Sequence, residues 1–263
     1  MDLGLRDNVA VVIGGASGIG RAIATAFRAE GAKVAIVDVS PNVTATASEL
    51  GSAGWVADVT DYPALTRVAA DIRTHFGCVD HLVFAAGIGS GKFGFPFWNL
   101  DPSDWERVLR VNLIGAVNVA HAFAPGLAEQ QRGTMLFLAS VAGQMGSQTD
   151  PPYSASKAGL INFAQCAAKD LAPFGVRVNS LCPGMVQTPL NRSVWQAWAD
   201  HQTSGTAMDY ETWAAEKIAK VVPLNRWQTP EDIAAMAVFL ASNRAANVTG
   251  QTVNVDGGFV MHS

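Results

Sequence analysis

The sequence contains few charged residues and no excess of positive charge. Only 15% of its 263 residues are charged, and 18 Lys and Arg stand against 22 Asp and Glu, for a net charge of -4. Proteins that bind nucleic acid or anionic membrane surfaces present clustered positive charge. The composition therefore predicts no nucleic-acid partner.

Long hydrophobic runs are also missing. The longest aliphatic stretches, such as residues 9–13, are about five residues long, whereas a membrane-spanning helix needs about 20 apolar residues. Residues 1–6 combine neither the positive charge nor the apolar stretch of a signal peptide. We therefore expect no membrane association and a cytoplasmic location.

Cysteine and histidine are too few and too scattered for a disulfide framework or a metal site. The three cysteines lie far apart in apolar stretches, which is typical of reduced core thiols. The five histidines do not cluster, and no Cys-x-x-Cys or His-Glu-x-x-His spacing occurs. We predict no metal ligand and no catalytic histidine.

What the sequence does contain is an alternation of short, β-branched apolar runs with amphipathic stretches of helical length. Seven runs are predicted as strands buried on both faces: residues 9–13, 33–38, 55–58, 81–85, 134–139, 176–182 and 251–255. The pattern predicts an α/β fold with one doubly wound, mainly parallel sheet between helices, and ligands at the carboxyl ends of its strands. No linker divides the chain, so residues 1–263 are expected to form one domain.

Residues 183–222 interrupt this alternation and are predicted to be an insertion with two short helices. Three of the seven tryptophans lie here, at Trp195, Trp198 and Trp213. These aromatic residues either pack the insertion onto the body of the protein or form a mobile lid and a pocket wall. The second alternative makes Trp195 a candidate substrate contact.

A glycine-rich loop follows the first predicted strand and precedes a predicted helix. Glycine allows the sharp turn and the close approach of a pyrophosphate, while the helix N-terminus offers free N–H donors. This pattern indicates a dinucleotide site that includes Gly14, Ser17, Gly18, Ile19 and Gly20. Asp38 ends the second strand, where a carboxylate can bind the adenosine ribose hydroxyls.

Asp38 also favours NAD over NADP. A 2'-phosphate about 4 Å from this carboxylate costs about 4 kcal/mol at an effective dielectric constant near 20, and no Arg or Lys occupies the flanking positions. Asp58 and Val59 lie at the end of the third predicted strand, where the adenine is expected. Asp58 either accepts a hydrogen bond from the adenine amine or caps the following helix.

A second group of residues carries acid and base chemistry. Tyr153 and Lys157 lie four residues apart on a predicted helix and therefore share one face. An ammonium one turn from a phenol favours the phenolate, so we expect Lys157 to lower the pKa of Tyr153 by about 2 to 3 units. Ser140 ends the fifth strand, where its hydroxyl can hold a substrate oxygen.

The glycine loop, Ser140, the Tyr153/Lys157 pair and the Pro183-Gly184 turn together resemble the short-chain dehydrogenase/reductase family over essentially the whole chain. This resemblance implies a Rossmann-type fold, a nicotinamide cofactor and a homotetramer packed partly through helices at residues 101–131 and 153–171. It also implies a catalytic tetrad of Asn112, Ser140, Tyr153 and Lys157. Asn112 is then expected to bind a water that links Lys157 to bulk solvent.

The resemblance assigns further cofactor contacts. Val186 and Thr188 are expected at the nicotinamide carboxamide, Ala86 and Gly87 follow the fourth strand, and Lys157 is expected to hold the nicotinamide ribose. The chain departs from the family pattern at Ile13, Phe84 and Ala85, where polar residues are usual. Since all three replacements are apolar, they leave no buried polar group without a partner.

The sequence is least informative about the substrate. Lys92 could bind an anionic group, and Gln144 and Gln148 could bind hydroxyl groups, although each is as consistent with an exposed loop residue. A polar alcohol such as a polyol, sugar or hydroxy acid is the first choice, and a hydrophobic or aromatic secondary alcohol is the second. A 3-oxoacyl or other ketone reductase and a non-catalytic NAD sensor or scaffold stay open as alternatives.

Overall fold

The computed structural model describes residues 2–147, 149–202 and 208–261. Within them, one sheet contains seven strands in the order β3-β2-β1-β4-β5-β6-β7, and every neighbouring pair is parallel. The strands are β1 (Val9–Ile13), β2 (Lys33–Asp38), β3 (Ala53–Val56), β4 (His81–Phe84), β5 (Gly133–Leu138), β6 (Val176–Pro183) and β7 (Thr252–Val255). The predicted doubly wound α/β fold is confirmed.

Helices cover both faces of the sheet, as parallel crossover connections require. They are α1 (Gly18–Ala29), α2 (Val43–Glu49), α3 (Tyr62–Phe76), α4 (Pro102–Leu109), α5 (Gly115–Gln130), α6 (Pro151–Leu171), α7 (Pro189–Ala199), α8 (Tyr210–Val221) and α9 (Pro230–Ala241). A π-helical turn over Arg110–Ile114 joins α4 to α5. Helices α7 and α8 lie in the predicted insertion.

Successive side chains of β1 enter two different cores because neighbouring residues of a strand point to opposite faces. Val11 and Ile13 pack among residues of α3, α5 and α6. Ala10 and Val12 pack among residues of α1 and α9. The central strands are therefore buried on both faces, and their ends are the places where polar chemistry is possible.

The third strand lies two residues earlier than predicted. It runs over Ala53–Val56, and Val56 pairs with Asp38. The predicted run of residues 55–58 left out Gly54, a residue type that is unfavourable inside a strand. In the structure this glycine permits close packing, since a Cβ atom at Gly54 would lie 2.8 Å from the carbonyl oxygen of Val43.

The stretch Pro102–Gln130 is, by length and composition alone, apolar enough to cross a membrane. Its buried side chains face the sheet, where Val119, Phe123 and Leu127 belong to the same core as Val11 of β1. This contact with the sheet is the usual arrangement of a core helix in an α/β domain.

His81 is buried at the amino end of β4, opposite the glycine loop, and only 5% of it is exposed. The amide nitrogen of Asn8 lies 3.0 Å from Nε2, so Nε2 accepts that hydrogen bond and Nδ1 donates to Thr134 Oγ1 at 2.9 Å. Both interactions suit neutral imidazole. Burial lowers the pKa of His81 to about 4, against which the nearby Asp80 acts weakly.

This burial predicts a loss of stability in mild acid. The unfolded chain takes up a proton on His81 near pH 6.5, whereas the folded protein does so only near pH 4. The stabilisation is therefore complete above pH 6.5, and about 3 kcal/mol of unfolding free energy should be lost by pH 4. Denaturant titrations of the wild type and His81→Gln across this range measure the difference.

His121→Gln is the matched control, because His121 is exposed on α5. The unfolding free energy of His121→Gln should depend on pH as that of the wild type does, whereas that of His81→Gln should depend on pH less. If the unfolding free energies of the wild type and His81→Gln changed equally with pH, His81 would not be held neutral in the folded protein.

Candidate active site

The carboxyl ends of the parallel strands meet at one edge of the sheet, and the predicted site residues follow these ends. The glycine loop follows β1, Asp38 ends β2, Gly87 follows β4 and Ser140 follows β5. The order reverses between β1 and β4, since β2 and β3 lie on one side of β1 and the later strands on the other. Ligands of doubly wound sheets bind at this crevice.

The glycine loop is closely packed at two points where a side chain cannot be accommodated. Gly14 has φ +78°, and a Cβ atom there would lie 2.5 Å from the amide nitrogen of Ala86. A Cβ atom at Gly20 would lie 2.1 Å from the carbonyl oxygen of Gly14. Ser17 is the N-cap of α1 but makes no side-chain capping bond, so the first N–H groups of this helix are available to an anion.

Asp38 is held at the end of β2 by two main-chain hydrogen bonds. Its Oδ2 accepts from Ala16 N at 3.0 Å, and its Oδ1 accepts from Ser40 N at 3.0 Å. The first of these bonds fixes the carboxylate beside the glycine loop. This is the position at which an acidic residue contacts the adenosine ribose in dinucleotide-binding folds.

Asp58 and Val59 occupy a turn beyond β3. Asp58 Oδ1 accepts from Thr60 N at 2.8 Å and from Thr60 Oγ1 at 2.9 Å. The cap of the following helix α3 is Asp61, whose side chain accepts from Ala64 N. Asp58 therefore does not cap that helix, and its contact with the adenine stays a prediction.

A cavity of about 480 Å³ lies at this edge and is lined by seven of the predicted site residues, whereas Asp38, Asp58 and the loop glycines are not part of its lining. Its lining includes Ile19 of α1, Gly87 after β4, and the Ser140, Tyr153 and Lys157 side chains. Val186 and Thr188, after β6, complete the side toward α7. The cavity thus extends from the N-terminus of α1 to Tyr153, and this arrangement fits a nicotinamide dinucleotide.

Lys157 is buried beneath Tyr153 on α6, with 3% of its surface exposed. Its Nζ donates to the carbonyl oxygen of Leu138 at 2.6 Å and lies 5.5 Å from the centre of the Tyr153 ring. A Cβ atom at Gly87 would lie 3.4 Å from this Nζ. The missing side chain of Gly87 therefore keeps space open beside the amine.

Burial controls the acidity of both groups. It raises the pKa of Tyr153 to about 12, although a hydrogen bond with Ser140 acts in the opposite direction. It lowers the pKa of Lys157 to about 8. The direction for Tyr153 is opposite to the lowering expected from Lys157, because the cost of removing a phenolate from water is the largest effect and the charges of Asp150 and Cys182 act in the same direction.

Asn112 is fully buried in the π-helical turn between α4 and α5. Its Oδ1 accepts from Ile88 N at 2.8 Å, and its Nδ2 donates to Ile88 O at 2.9 Å and to Ser156 Oγ at 3.0 Å. These bonds fix the loop after β4 to helix α6. Its Oδ1 would be 3.5 Å from a Cβ atom at Gly87, so Asn112 and Lys157 flank the same open space.

The structure does not bring the predicted substrate residues Lys92, Gln144 and Trp195 to the cavity. Lys92 Nζ lies 2.8 Å from Asp104, and the amide of Gln144 exchanges two hydrogen bonds with that of Asn254. Trp195 packs on Tyr210 and donates to Met208 O. Each side chain is thus engaged by another part of the protein, and Gln148 lies outside the described residues.

Sequence reasoning missed Asp150 and Lys217, which line the cavity, whereas Trp213, one of the aromatic residues considered as a pocket wall, does line it. Asp150 is the N-cap of α6, and its carboxylate accepts from Ser90 N at 2.8 Å and Tyr153 N at 3.4 Å. Burial raises its pKa. An acidic residue followed by Pro151 is a readable helix start, but this signal does not reveal that the side chain borders a cavity.

These features define a class of protein. A parallel doubly wound sheet, an uncapped helix after a glycine loop, and a Ser, Tyr and Lys around one cavity are the parts of a dinucleotide-binding oxidoreductase. Residues 14–260 match the family model described as enoyl-(acyl carrier protein) reductase. The chain belongs to this family of short-chain dehydrogenases/reductases.

Individual relatives differ in what they act on. The chain is 36% identical over 258 residues to an acetoacetyl-CoA reductase of Synechocystis, with 98% of each chain covered. It is 33% identical to a D-threitol dehydrogenase of Mycolicibacterium smegmatis, covering 99% of this chain and 95% of the relative. The structure of an aldohexose dehydrogenase of Thermoplasma acidophilum is similar at a TM-score of 0.86 and 27% identity, covering 100% and 98% of the two chains.

The packing of the glycine loop gives a direct test of the cofactor site. Gly20→Ala places a methyl group against the carbonyl of Gly14 and should separate α1 from the loop. We expect at least about a 10-fold weaker affinity for NADH and NADPH, since the N–H donors are displaced, and a lower melting temperature. Nucleotide fluorescence titration and thermal unfolding measure both.

Gly126→Ala is the control, because Gly126 lies in α5 with only the end of the Arg73 side chain within 4 Å of the added atom. This change should raise the unfolding free energy by about 0.5 to 1 kcal/mol and leave nucleotide affinity unchanged. Wild-type affinity and stability in Gly20→Ala would contradict the assignment of the loop.

Proposed function

We propose that the protein is an NAD-dependent dehydrogenase that interconverts a secondary alcohol and its ketone. The observation that carries this proposal is the meeting of Ser140, Tyr153 and Lys157 in one cavity that reaches the N-terminus of α1. A hydroxyl, a phenol and an amine together can hold a carbonyl oxygen and move its proton. The bound nicotinamide cofactor supplies the hydride acceptor for oxidation and the donor for reduction.

Ser140 and Tyr153 act at the substrate oxygen. The Ser140 hydroxyl is oriented by Ala142 N, which donates to Oγ at 3.1 Å. This hydroxyl also shares a hydrogen bond with Tyr153, so the two groups together can contact the substrate oxygen. In the oxidation, Tyr153 removes the hydroxyl proton as hydride leaves the adjacent carbon, and the carbonyl product stays hydrogen-bonded to both residues until release.

Lys157 and Asn112 form the inner part of a proton route. Lys157 is anchored on Leu138 O, and the space beside Gly87 separates its Nζ from Asn112. The side-chain amide of Asn112 exchanges two hydrogen bonds with the main chain of Ile88 and thereby fixes the position of the loop after β4. We infer that the proton collected by Tyr153 passes to Lys157 and leaves through this space.

The two pKa shifts fit that route. The Tyr153/Lys157 pair can accept the substrate proton only after it has lost one of its own protons. Either the phenol or the ammonium can lose that proton. Burial makes Lys157 the easier donor, with a pKa of about 8 compared with about 12 for Tyr153. The active form of the pair for oxidation is therefore expected to accumulate toward pH 8.

The cavity walls favour a substrate with an apolar body. On the side away from the glycine loop the lining includes Met145, Leu190, Val194, Trp213 and Phe259. Such walls suit the hydrophobic secondary alcohol better than the polyol or sugar of the first choice. A ketone reductase is the second candidate, because the same walls fit an acyl chain and one relative is named as an acetoacetyl-CoA reductase.

Two further features belong to the proposal. We infer that α7 and α8 form the wall over the substrate and move to admit it, in keeping with their position over the cavity. We also infer, on the family resemblance, a homotetramer packed partly through residues 101–131, which form α4 and α5, and residues 153–171 of α6.

Replacing Tyr153 tests the proton transfer. Tyr153→Phe should lower kcat for alcohol oxidation by about 10²- to 10⁴-fold, because the acid-base group is lost while the ring is kept. In the wild type, kcat/KM for oxidation should rise up to about pH 8, where Lys157 loses its proton, and then level off. NADH formation with a panel of secondary alcohols measures both effects.

Tyr62→Phe is the matched control, because Tyr62 is an exposed tyrosine at the start of α3. It should leave the rate and the pH profile unchanged. NADH should bind Tyr153→Phe as tightly as the wild type. Near-normal turnover by Tyr153→Phe would remove this residue from the mechanism.

Asp38 tests the cofactor preference. Its fixed carboxylate should make kcat/KM for NAD about 10²- to 10³-fold higher than for NADP, since the 2'-phosphate approaches a like charge. Asp38→Asn should reduce this ratio at least about 10-fold. Asp61→Asn, which removes a carboxylate from the N-cap of α3, should leave the ratio unchanged. Faster turnover by the wild type with NADP would overturn the preference.

A further inference from the structure

Helix α8 presents three residues at four-residue intervals to the cavity: Trp213, Lys217 and Val221. Residues spaced in this way lie on one face of a helix. The neighbouring residues Ala214 and Ile218 are buried. The α8 face toward Tyr153 therefore carries one cation between two apolar side chains.

The ammonium of Lys217 has an aromatic neighbour but no anionic one. Its Nζ lies 4.4 Å from the centre of the Trp213 ring. Within residues 2–147, 149–202 and 208–261, no carboxylate lies within 4.0 Å of it, and no group accepts its hydrogen bonds. The ring attracts the charge but offers no oxygen or nitrogen acceptor to the three N–H donors.

Burial lowers the pKa of Lys217, as expected for an amine partly removed from water. An anion in the cavity restores part of the lost solvation by accepting a hydrogen bond from the ammonium. Unpaired and partly desolvated lysines are therefore effective anion ligands.

The other charged groups of the cavity are already engaged by main-chain atoms. Lys157 donates to Leu138 O, and Asp150 accepts from Ser90 N and Tyr153 N. Among the described residues that line the cavity, Lys217 differs from both because no group accepts its hydrogen bonds. Much of the remaining wall is apolar, with Ser147, Thr149, Thr188 and Asn191 among its polar residues, so this space has hydroxyl groups at Ser140 and Tyr153 and a second cation, besides Lys157, at Lys217.

We propose that Lys217 binds a carboxylate of the substrate, which makes the substrate a hydroxy acid or oxo acid with an apolar segment between its carboxylate and its reacting carbon. This proposal rests on the proposed function for its reacting end. A single ammonium balances a single negative charge, which favours a carboxylate over a phosphate dianion. The sequence prediction of an anion-binding lysine at Lys92 is thereby replaced by Lys217.

Binding measurements test the site without turnover. Calorimetry on the NADH-loaded protein compares unbranched carboxylates from butanoate to octanoate with the matching primary amides. At least one carboxylate should bind about 10-fold or more tightly than its amide, as a charge-assisted hydrogen bond predicts. Lys217→Gln should remove this difference, and Lys217→Arg should retain most of it.

Lys220→Gln is the matched control, since Lys220 is an exposed lysine on the same helix and does not line the cavity. It should keep the carboxylate preference. Equal affinities of the wild type for every acid and its amide would overturn the proposal. If Lys217→Gln weakened the binding of a carboxylate and of its amide equally, the proposal would also be overturned, because Lys217 would then act only on the structure of the site.

Kinetics then separate this site from the proposed function. Lys217→Gln should raise KM for hydroxy acids about 10-fold or more, with kcat and the constants for neutral hydroxy amides little changed. Turnover of neutral alcohols with no Lys217-dependent preference for acids refutes this inference and leaves the proposed function standing. If carboxylate binding depends on Lys217 but no alcohol is turned over, the proposed function is refuted and the assignment of Lys217 as an anion ligand stands.

Discussion

The burial of the central strands on both faces is the constraint on which the rest of this structure depends. Side chains of β1, β4 and β5 fill one core against α3, α5 and α6 and another against α1 and α9. In the middle of these three strands the side chains are apolar, so the polar residues of the site follow the strand ends. Since all strand pairs are parallel, their carboxyl ends meet, and one edge collects Asp38, Gly87 and Ser140.

The same burial sets the chemistry of the tyrosine and lysine. In water, a phenol and an ammonium hold their protons to similar pH values. Beside β5 and β6, loss of solvent destabilises both charged forms, so the phenol becomes a weaker acid and the ammonium a stronger one. The pair thereby gains a group that releases its proton near neutral pH, and the buried Leu138 carbonyl fixes its position.

Much of the fold could be predicted because its signals are local. Continuous apolar runs and the glycine loop placed six strands within one residue of their observed ends and the third strand within two, and the i to i+4 spacing placed Tyr153 and Lys157 on one face of α6. Local sequence patterns do not indicate which residues of distant segments a side chain will contact. Gln144 pairs with Asn254, 110 residues away in sequence, and Lys92 pairs with Asp104 across a loop. Lys217 was missed because the side of α8 that faces the cavity depends on how α8 packs.

The residues that depart from the family pattern and the residues of the substrate wall lie in different parts of the molecule. Ile13 and Phe84 are buried in the core shared with α5, where Phe84 packs against Phe137 with ring centres 6.3 Å apart. These two replacements are therefore packed within the core of the sheet.

The aromatic residues of α7 and α8 instead form a separate cluster around Tyr210 and Trp213. Because this cluster has its own packing, its cavity-facing residues can change without disturbing the sheet or the nucleotide-binding loop. This separation is consistent with relatives as different as an acetoacetyl-CoA reductase and a D-threitol dehydrogenase, and the proposed role of Lys217 assigns the choice of substrate to the inner face of α8.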